Sequence, residues 1–217
     1  MKKYDIILFD LDGTLTDPGE GITNSVAYAL EKYGIKVENK KDLLKFIGPP
    51  LYDSFRMYYG FSEEKSREAI AFYREYYSVK GIYECKLYDG IPELLMSLKN
   101  AGKAVILATS KPDFFAEKVL EHYGIIKYFD FVGGASADEK TRGTKEAVIA
   151  YIFEEMKIQK RENVVMIGDR HYDVNGAKEF SIDSIGVLFG FGDREELETA
   201  GATYIAADID EIKKILL

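Results

Sequence analysis

The sequence predicts an α/β fold in which helices cover both faces of a doubly wound parallel sheet and a small helical domain is inserted. Three observations support this fold. Short apolar runs recur along the chain and each is followed by polar residues or glycine. Segments with helical periodicity lie between those runs, and one long stretch near the N-terminus has helical patterning alone. Strands that alternate with helices predict a parallel sheet with right-handed crossovers.

Six apolar runs are the expected strands, and they occupy residues 4–9, 104–108, 129–132, 163–167, 184–188 and 203–206. Continuous apolar runs of this length are typical of strands that are buried on both faces. Three intervening segments, 93–99, 114–123 and 145–156, repeat their apolar residues at helical spacing.

Residues 16–84 break the alternation, because they contain two helical stripes and no convincing buried strand. Each stripe repeats about every fourth residue, and the members are Ile22, Val26, Leu30 and Tyr33 in one, and Ala69, Phe72, Tyr73, Tyr76 and Tyr77 in the other. This stretch exceeds the length of an ordinary crossover. We therefore expect a helical domain at 16–84, inserted after the first strand of a core formed by 1–15 and 85–217.

Bulk properties limit the partners. The net charge of the 217 residues is −8 and no basic block occurs, which argues against a nucleic-acid polymer but not against a small phosphorylated substrate. No apolar stretch is long enough to span a membrane, and the residues after Met1 do not form a signal peptide. A single cysteine, Cys85, rules out an intramolecular disulfide and fits a cytoplasmic protein.

The first expected strand end carries Asp10-Leu11-Asp12-Gly13-Thr14. Two carboxylates this close repel each other unless a cation or a proton relieves them, and Mg²⁺ prefers such oxygen ligands beside phosphate. Asp10 would then be a nucleophile, and Asp12 a general acid and base. An aspartate-rich turn without function is an alternative. A calcium-binding EF-hand is excluded, because Leu15 and Gly21 occupy the positions that require Gly and Glu.

The second strand end carries Thr109-Ser110-Lys111. A hydroxyl group and backbone N–H groups at a strand-to-helix turn can bind phosphate, although Thr or Ser before a helix is more often only an N-cap.

The third candidate is Lys145, which follows an expected N-cap at Thr144. The helix dipole disfavours a cation in the first turn, so its presence suggests a negative partner. A solvated lysine is equally compatible with this position, and Lys140 is a competing candidate.

The fourth strand end carries Gly168-Asp169-Arg170-His171-Tyr172-Asp173. Asp169 and Asp173 are one helical turn apart and can face the same point. Acidic residues also stabilise a first turn without any function. Two acidic strand ends in one sheet favour a shared metal site, since ligands bind at the carboxyl ends of parallel strands.

In this order and spacing, Asp10-x-Asp12-Gly-Thr, Thr109, Lys145 and Gly168-Asp169-x-x-x-Asp173 resemble the motifs of the haloacid dehalogenase superfamily. The resemblance implies a Rossmann-like core with an inserted cap. It also implies that Asp10 becomes an aspartyl-phosphate, while Asp12 protonates the leaving oxygen and then activates water. Thr109, Ser110 and Lys145 would bind the phosphoryl group. Mg²⁺ would lie between Asp10, the backbone carbonyl of Asp12 and Asp169, with Asp173 ligating or supporting it.

The segments Phe46–Leu51, Thr109–Pro112 and Gly168–Arg170 look like the branch of phosphoglycolate phosphatases, which also includes 5′-nucleotidase-like members. A small phosphorylated metabolite is the expected substrate, with phosphoglycolate first. A 5′-nucleotidase, a sugar phosphomutase and an inactive phosphate-binding protein remain alternatives, and a monomer or a homodimer is expected. Three cap residues, Tyr52, Arg56 and Lys80, are candidates for substrate contact but more often such residues pack or face solvent.

Overall fold

The computed structural model describes residues 4–137 and 141–217. Its strands are β1 Ile6–Phe9, β2 Thr16–Asp17, β3 Lys86–Leu87, β4 Ala104–Pro112, β5 Phe131–Ala135, β6 Val164–Gly168, β7 Asp183–Val187 and β8 Tyr204–Ala206. The helices are α1 Gly19–Glu31, α2 Leu51–Tyr59, α3 Glu63–Tyr77, α4 Ile91–Asn100, α5 Asp113–His122, α6 Lys145–Glu155, α7 His171–Glu179, α8 Arg194–Ala200 and α9 Ile209–Leu216. Short 3₁₀ helices span Lys40–Phe46, Gly81–Tyr83 and Ile126–Tyr128.

Six strands form a parallel sheet in the order β5-β4-β1-β6-β7-β8, and this sheet confirms the predicted fold class. The chain runs from β1 outward through β4 to β5, and then returns to β6 on the other side of β1. Ligands bind at such reversals in strand order, outside the carboxyl ends of the strands.

Helices cover both faces of the sheet, as the burial of consecutive strand residues shows. Side chains of neighbouring strand residues point to opposite faces, yet Ile7 and Leu8 in β1 and Val105 and Ile106 in β4 are all fully buried. On one face, residues of α6 and α7 pack with strand residues in a single apolar cluster that includes Leu8, Ile106, Val148, Ile152, Met166 and Ala177. Complete burial of each aliphatic side chain contributes about 1.5–3 kcal/mol.

All six predicted strands are present, but β4 is longer than its apolar run. It continues through Thr109, Ser110 and Lys111 to Pro112, and its pairing with β5 shifts register between Ala108 and Pro112. The expected strand-to-helix turn at 109–111 is therefore wrong, because these polar residues are still in the strand. The two-residue strands β2 and β3, which pair with each other in a separate sheet, were not predicted.

The chain divides into two compact units, one of residues 1–16 and 87–217 and the other of residues 17–86. The second unit is built from α1, α2 and α3 with two 3₁₀ helices. Both predicted stripes contribute to its interior, since Val26, Leu30 and Ala69 are fully buried. Its aromatic residues fill the same core: Phe46 and Phe55 lie 5.1 Å apart by ring centroid, and both are buried. None of the helices in the described part of the chain combines the length and the apolar character needed to cross a membrane.

Candidate active site

The aligned register of the central strands brings their polar ends together. Phe9 of β1 pairs with Leu107 of β4 and with Ile167 of β6, so that β1 and β6 end at nearly the same level while β4 continues past them. The backbone N–H of Asp10 still donates to the Ile167 carbonyl oxygen at 2.9 Å. Asp10 therefore emerges at the sheet edge beside Asp169, which follows directly after β6.

Lys145 lies at the centre of this edge. Its Nζ donates to Asp10 Oδ1 at 2.7 Å and to the Ala108 carbonyl oxygen at 2.8 Å, and it forms an ion pair with Asp173 Oδ1 at 2.8 Å. Burial lowers the pKa of Lys145, but the charges of Asp10 and Asp173 outweigh burial and the net shift is upward. Lys145 is therefore a buried, charged ammonium group.

The structure explains why a cation occupies the first turn of α6. Thr144 is the N-cap, as predicted, and its side chain accepts a hydrogen bond from Ala147 N. The carboxylates of Asp10 and Asp173 are the negative partners that the position of Lys145 suggested. Lys140, the competing candidate, lies outside the described residues.

Three carboxylates form a buried cluster, and each of Asp10, Asp169 and Asp173 offers an oxygen within 4.8 Å of the others. Asp169 Oδ2 accepts a hydrogen bond from Phe191 N at 2.8 Å, whereas its Oδ1 has no hydrogen-bond partner within the described part of the chain. Burial, together with the charges of Asp173 and Asp10, raises the pKa of Asp169 well above its usual range. Burial, together with the charge of Asp10, raises the pKa of Asp173 to about 6 despite the neighbouring Lys145.

This cluster fits a divalent cation. The ammonium group of Lys145 alone does not balance three buried carboxylates, and Asp169 Oδ1 has no hydrogen-bond partner among the described residues. Mg²⁺ binds carboxylate oxygens, so it would balance the excess negative charge and give the Asp169 oxygen a partner. The close packing at this point also leaves no room for a side chain at residue 13: Gly13, with a φ of +89°, lies directly against the Asp169 carboxylate.

Asp12 has a different environment from the other three aspartates. Its Oδ1 accepts a hydrogen bond from Lys111 Nζ at 2.7 Å, and its carboxyl group is not part of the cluster. Burial raises the pKa of Asp12 even though Lys111 opposes the shift. The resemblance implied a metal contact through the backbone carbonyl of Asp12, and that role stays a prediction. The pairing with Lys111 was not foreseen.

Thr109 and Ser110 lie near this edge within β4. Thr109 is buried, and its Oγ1 accepts a hydrogen bond from Lys111 N at 3.2 Å. It is not a helix cap, because Pro112 occupies the N-cap of α5.

The three candidates for substrate contact in the second unit lie at its surface. Arg56 and Lys80 are exposed, and Tyr52 is half-buried. The Arg56 guanidinium lies 5.5 Å from the Tyr52 ring centroid, and Lys80 Nζ lies 5.9 Å from that of Tyr76. These contacts fit the packing and solvated roles that we considered more common for such residues.

A model of the family described as haloacid dehalogenase-like hydrolase matches residues 7–187, which is most of the chain. The chain belongs to this family. The resemblance drawn from Asp10, Thr109, Lys145 and Asp169 is thereby confirmed.

This hydrolase is similar to curated proteins that carry different names. It is 42% identical to a 5′-nucleotidase of Pseudomonas aeruginosa over 214 residues, which cover 99% of this chain and 96% of the relative. It is 38% identical to Tyrosine-protein kinase PtkA of Mycobacterium tuberculosis over 214 residues, or 97% of this chain and 72% of the kinase. A phosphoglycolate phosphatase of Vibrio parahaemolyticus is 26% identical over 227 residues, or 100% of this chain and 98% of the relative.

Among solved structures, the hydrolase is similar to a predicted phosphatase from Clostridium acetobutylicum. The two are 52% identical and superpose with a TM-score of 0.94, over 98% of each chain. Family membership and these similarities confirm phosphatase as the predicted enzyme class.

Sequence reasoning missed the segment that supports Asp169 in this hydrolase. Phe191 donates its backbone N–H to Asp169, and neighbouring Gly190 packs against both Asp169 and the Gly13 carbonyl so closely that no side chain fits. The signal in the sequence was the tripeptide Gly190-Phe191-Gly192, which lies just after the apolar run 184–188. Glycines at a strand end often mark a close backbone approach.

Proposed function

We propose that this enzyme hydrolyses a small phosphate monoester in the presence of Mg²⁺, through an aspartyl-phosphate formed on Asp10. One observation carries the proposal: the buried cluster of Asp10, Asp169 and Asp173 in contact with the Lys145 ammonium group. Such a site supplies a nucleophile, a place for a divalent cation and a fixed positive charge for phosphoryl oxygens. Phosphoryl transfer depends largely on this positioning and charge neutralisation.

The proposed reaction has two steps. In the first, an oxygen of Asp10 forms a bond to phosphorus, the ester P–O bond breaks, and Asp12 gives its proton to the leaving oxygen. In the second, Asp12 takes a proton from water, which attacks phosphorus and releases phosphate from Asp10. The raised pKa of Asp12 suits it to hold the first proton.

The other residues hold the phosphoryl group and the cation. Lys145, which already contacts Asp10, would bind a phosphoryl oxygen, with the Thr109 hydroxyl and Ser110 beside it. Asp10 and Asp169, with Asp173 in support and the backbone carbonyl of Asp12, would hold Mg²⁺. When bound, the ion neutralises charge on the carboxylates and on the phosphoryl oxygens.

We propose a nucleoside 5′-monophosphate as the first substrate to test. The sequence alone placed phosphoglycolate first. The 42% identity to a 5′-nucleotidase against 26% to a phosphoglycolate phosphatase favours the nucleotide. The compact unit of residues 17–86 would act as a cap that selects the leaving group. A small molecule is the expected partner, and a monomer or homodimer is the expected state.

The proposal is tested by hydrolysis of p-nitrophenyl phosphate with Mg²⁺ and with EDTA. Activity should require Mg²⁺ and vanish in Asp10→Asn, which keeps the size of the side chain but removes the nucleophile. The matched control is Asp5→Asn, an exposed aspartate just before β1 that should leave turnover unchanged. Undiminished turnover by Asp10→Asn would refute the mechanism.

A panel of nucleoside monophosphates, phosphoglycolate and hexose phosphates then ranks the substrates by kcat/KM. A preference for phosphoglycolate would overturn the nucleotide assignment. Isomerised rather than hydrolysed sugar phosphate would identify a mutase. Tight binding without turnover of any ester would indicate a binding protein, and ATP-dependent transfer to tyrosine would indicate a kinase.

A further inference from the structure

One carboxylate oxygen of α8, Glu196 Oε1, contacts both Arg170 and His171, which lie between Asp169 and Asp173. Glu196 Oε1 accepts hydrogen bonds from Arg170 Nε and from His171 N, each at 2.9 Å. His171 Nδ1 lies 2.6 Å from the same oxygen. Glu196 thus holds the side chain of Arg170 and both the backbone N–H and the ring of His171.

These contacts lead directly to the carboxylate cluster. Arg170 N, one residue after Asp169, donates to Asp173 Oδ2 at 3.1 Å. The position of Arg170 therefore sets the entry into α7 and, with it, the separation of the two aspartates. Glu196 is itself fixed, because its N–H donates to Asp193 Oδ1 at 2.8 Å in the N-cap of α8.

Glu196 also has an electrostatic effect on this site. The Arg170 side chain is only 22% exposed and Glu196 is 23% exposed, so that solvent screens their ion pair less than it screens a surface pair. Pairing neutralises a guanidinium group next to Asp169. Without Glu196, Arg170 would lose this compensating negative charge beside the carboxylates that are to hold a cation.

We propose that Glu196 is a positioning residue that sets the Mg²⁺ affinity of the Asp10–Asp169–Asp173 site. It does so by fixing residues 170 and 171 and by neutralising Arg170, without touching the cation or the substrate. This inference rests on the proposed function, since it assumes that the cluster binds Mg²⁺. Loss of partners that orient metal ligands typically weakens metal affinity about 10–100-fold.

The test is titration of the metal-free 217-residue chain with MgCl₂ by isothermal calorimetry, with no substrate present. Glu196→Ala should weaken the Kd for Mg²⁺ about 10–100-fold. Glu196→Gln keeps an acceptor oxygen for Arg170 and His171 but loses the charge, so its Kd should lie between those of the wild type and Glu196→Ala. The matched control is Glu198→Ala on the same helix, where Glu198 forms an exposed ion pair with Arg194 at 3.1 Å and should leave the Kd unchanged.

The thermal midpoint of the metal-free variants separates positioning from a loss of stability. A weaker Mg²⁺ affinity of Glu196→Gln with an unchanged midpoint supports the inference, and this variant decides the question if Glu196→Ala does not fold. Wild-type affinity in the folded Glu196 variants, or an equal loss in Glu198→Ala, overturns it. If the wild-type protein does not bind Mg²⁺ at all, the proposed metal site fails and the inference fails with it.

Discussion

Replacement of Lys145 by methionine tests the electrostatic account of the site. The change keeps most of the side-chain volume but removes the ammonium group that contacts Asp10, Asp173 and the Ala108 carbonyl. Removing one partner from a buried ion pair costs about 3–5 kcal/mol, because a charge is left uncompensated. Alternatively, the variant can neutralise one unpaired carboxylate by binding a proton. For a carboxyl group with an ordinary pKa near 4, this costs about 4 kcal/mol at pH 7, which is similar to the cost of the uncompensated charge.

For a protein of this size, that loss lowers the thermal midpoint of the metal-free protein by roughly 6–20 °C at pH 7. The deficit should shrink at pH 5, since protons then neutralise the unpaired carboxylates at lower cost. Circular dichroism in EDTA at both pH values measures the two effects. The control is Lys103→Met, which removes another buried lysine whose Nζ bonds to the Tyr4 carbonyl oxygen and should show no such pH dependence. A Lys145→Met midpoint equal to that of the wild type at pH 7 would refute the reasoning.

Two further changes probe the acidic cluster and its support. Because the pKa of Asp173 rises to about 6 on folding, the folded state holds a proton that the unfolded chain releases near pH 4. Asp173 should therefore lower the metal-free stability by about 3 kcal/mol between pH 4 and 6, in addition to the loss from Asp169, whose pKa is also raised. Denaturant titrations of Asp173→Asn should accordingly show a smaller decline over this range than the wild type. Gly190→Ala should abolish calorimetric Mg²⁺ binding, since its methyl group would displace Asp169. Gly102→Ala, with a positive φ but no neighbour within 4 Å, should lose only about 1–2 kcal/mol of stability and bind normally.

The positions of the site residues along the chain were predictable, because buried parallel strands leave contiguous apolar runs in the sequence. Once Asp10 and Asp169 are placed at the ends of such runs, their convergence follows from the geometry of a parallel sheet. The end of β4 was not predictable in the same way. Its last residues are polar and finish in Pro112, so that only pairing with β5 reveals them as strand.

Contacts between distant side chains were also beyond sequence reasoning. Lys111 and Asp12 are 99 positions apart, and their pairing depends on side-chain directions that no periodic pattern records. Glu196 is one of two acidic residues in the first turn of α8, where such residues are common without any function, so its sequence position gives no signal. Its contacts with Arg170 and His171 exist only because α8 packs beside α7.

The most direct test of the central claim is detection of the phosphoryl group on Asp10. The Asp12→Asn variant lacks the group proposed to activate water, so that the phosphorylated enzyme should accumulate. The variant is mixed with Mg²⁺ and p-nitrophenyl phosphate, quenched in acid, digested and analysed by tandem mass spectrometry. We predict one phosphorylated peptide, modified at Asp10. Modification at another residue, or an unmodified protein that still turns over substrate, would contradict it.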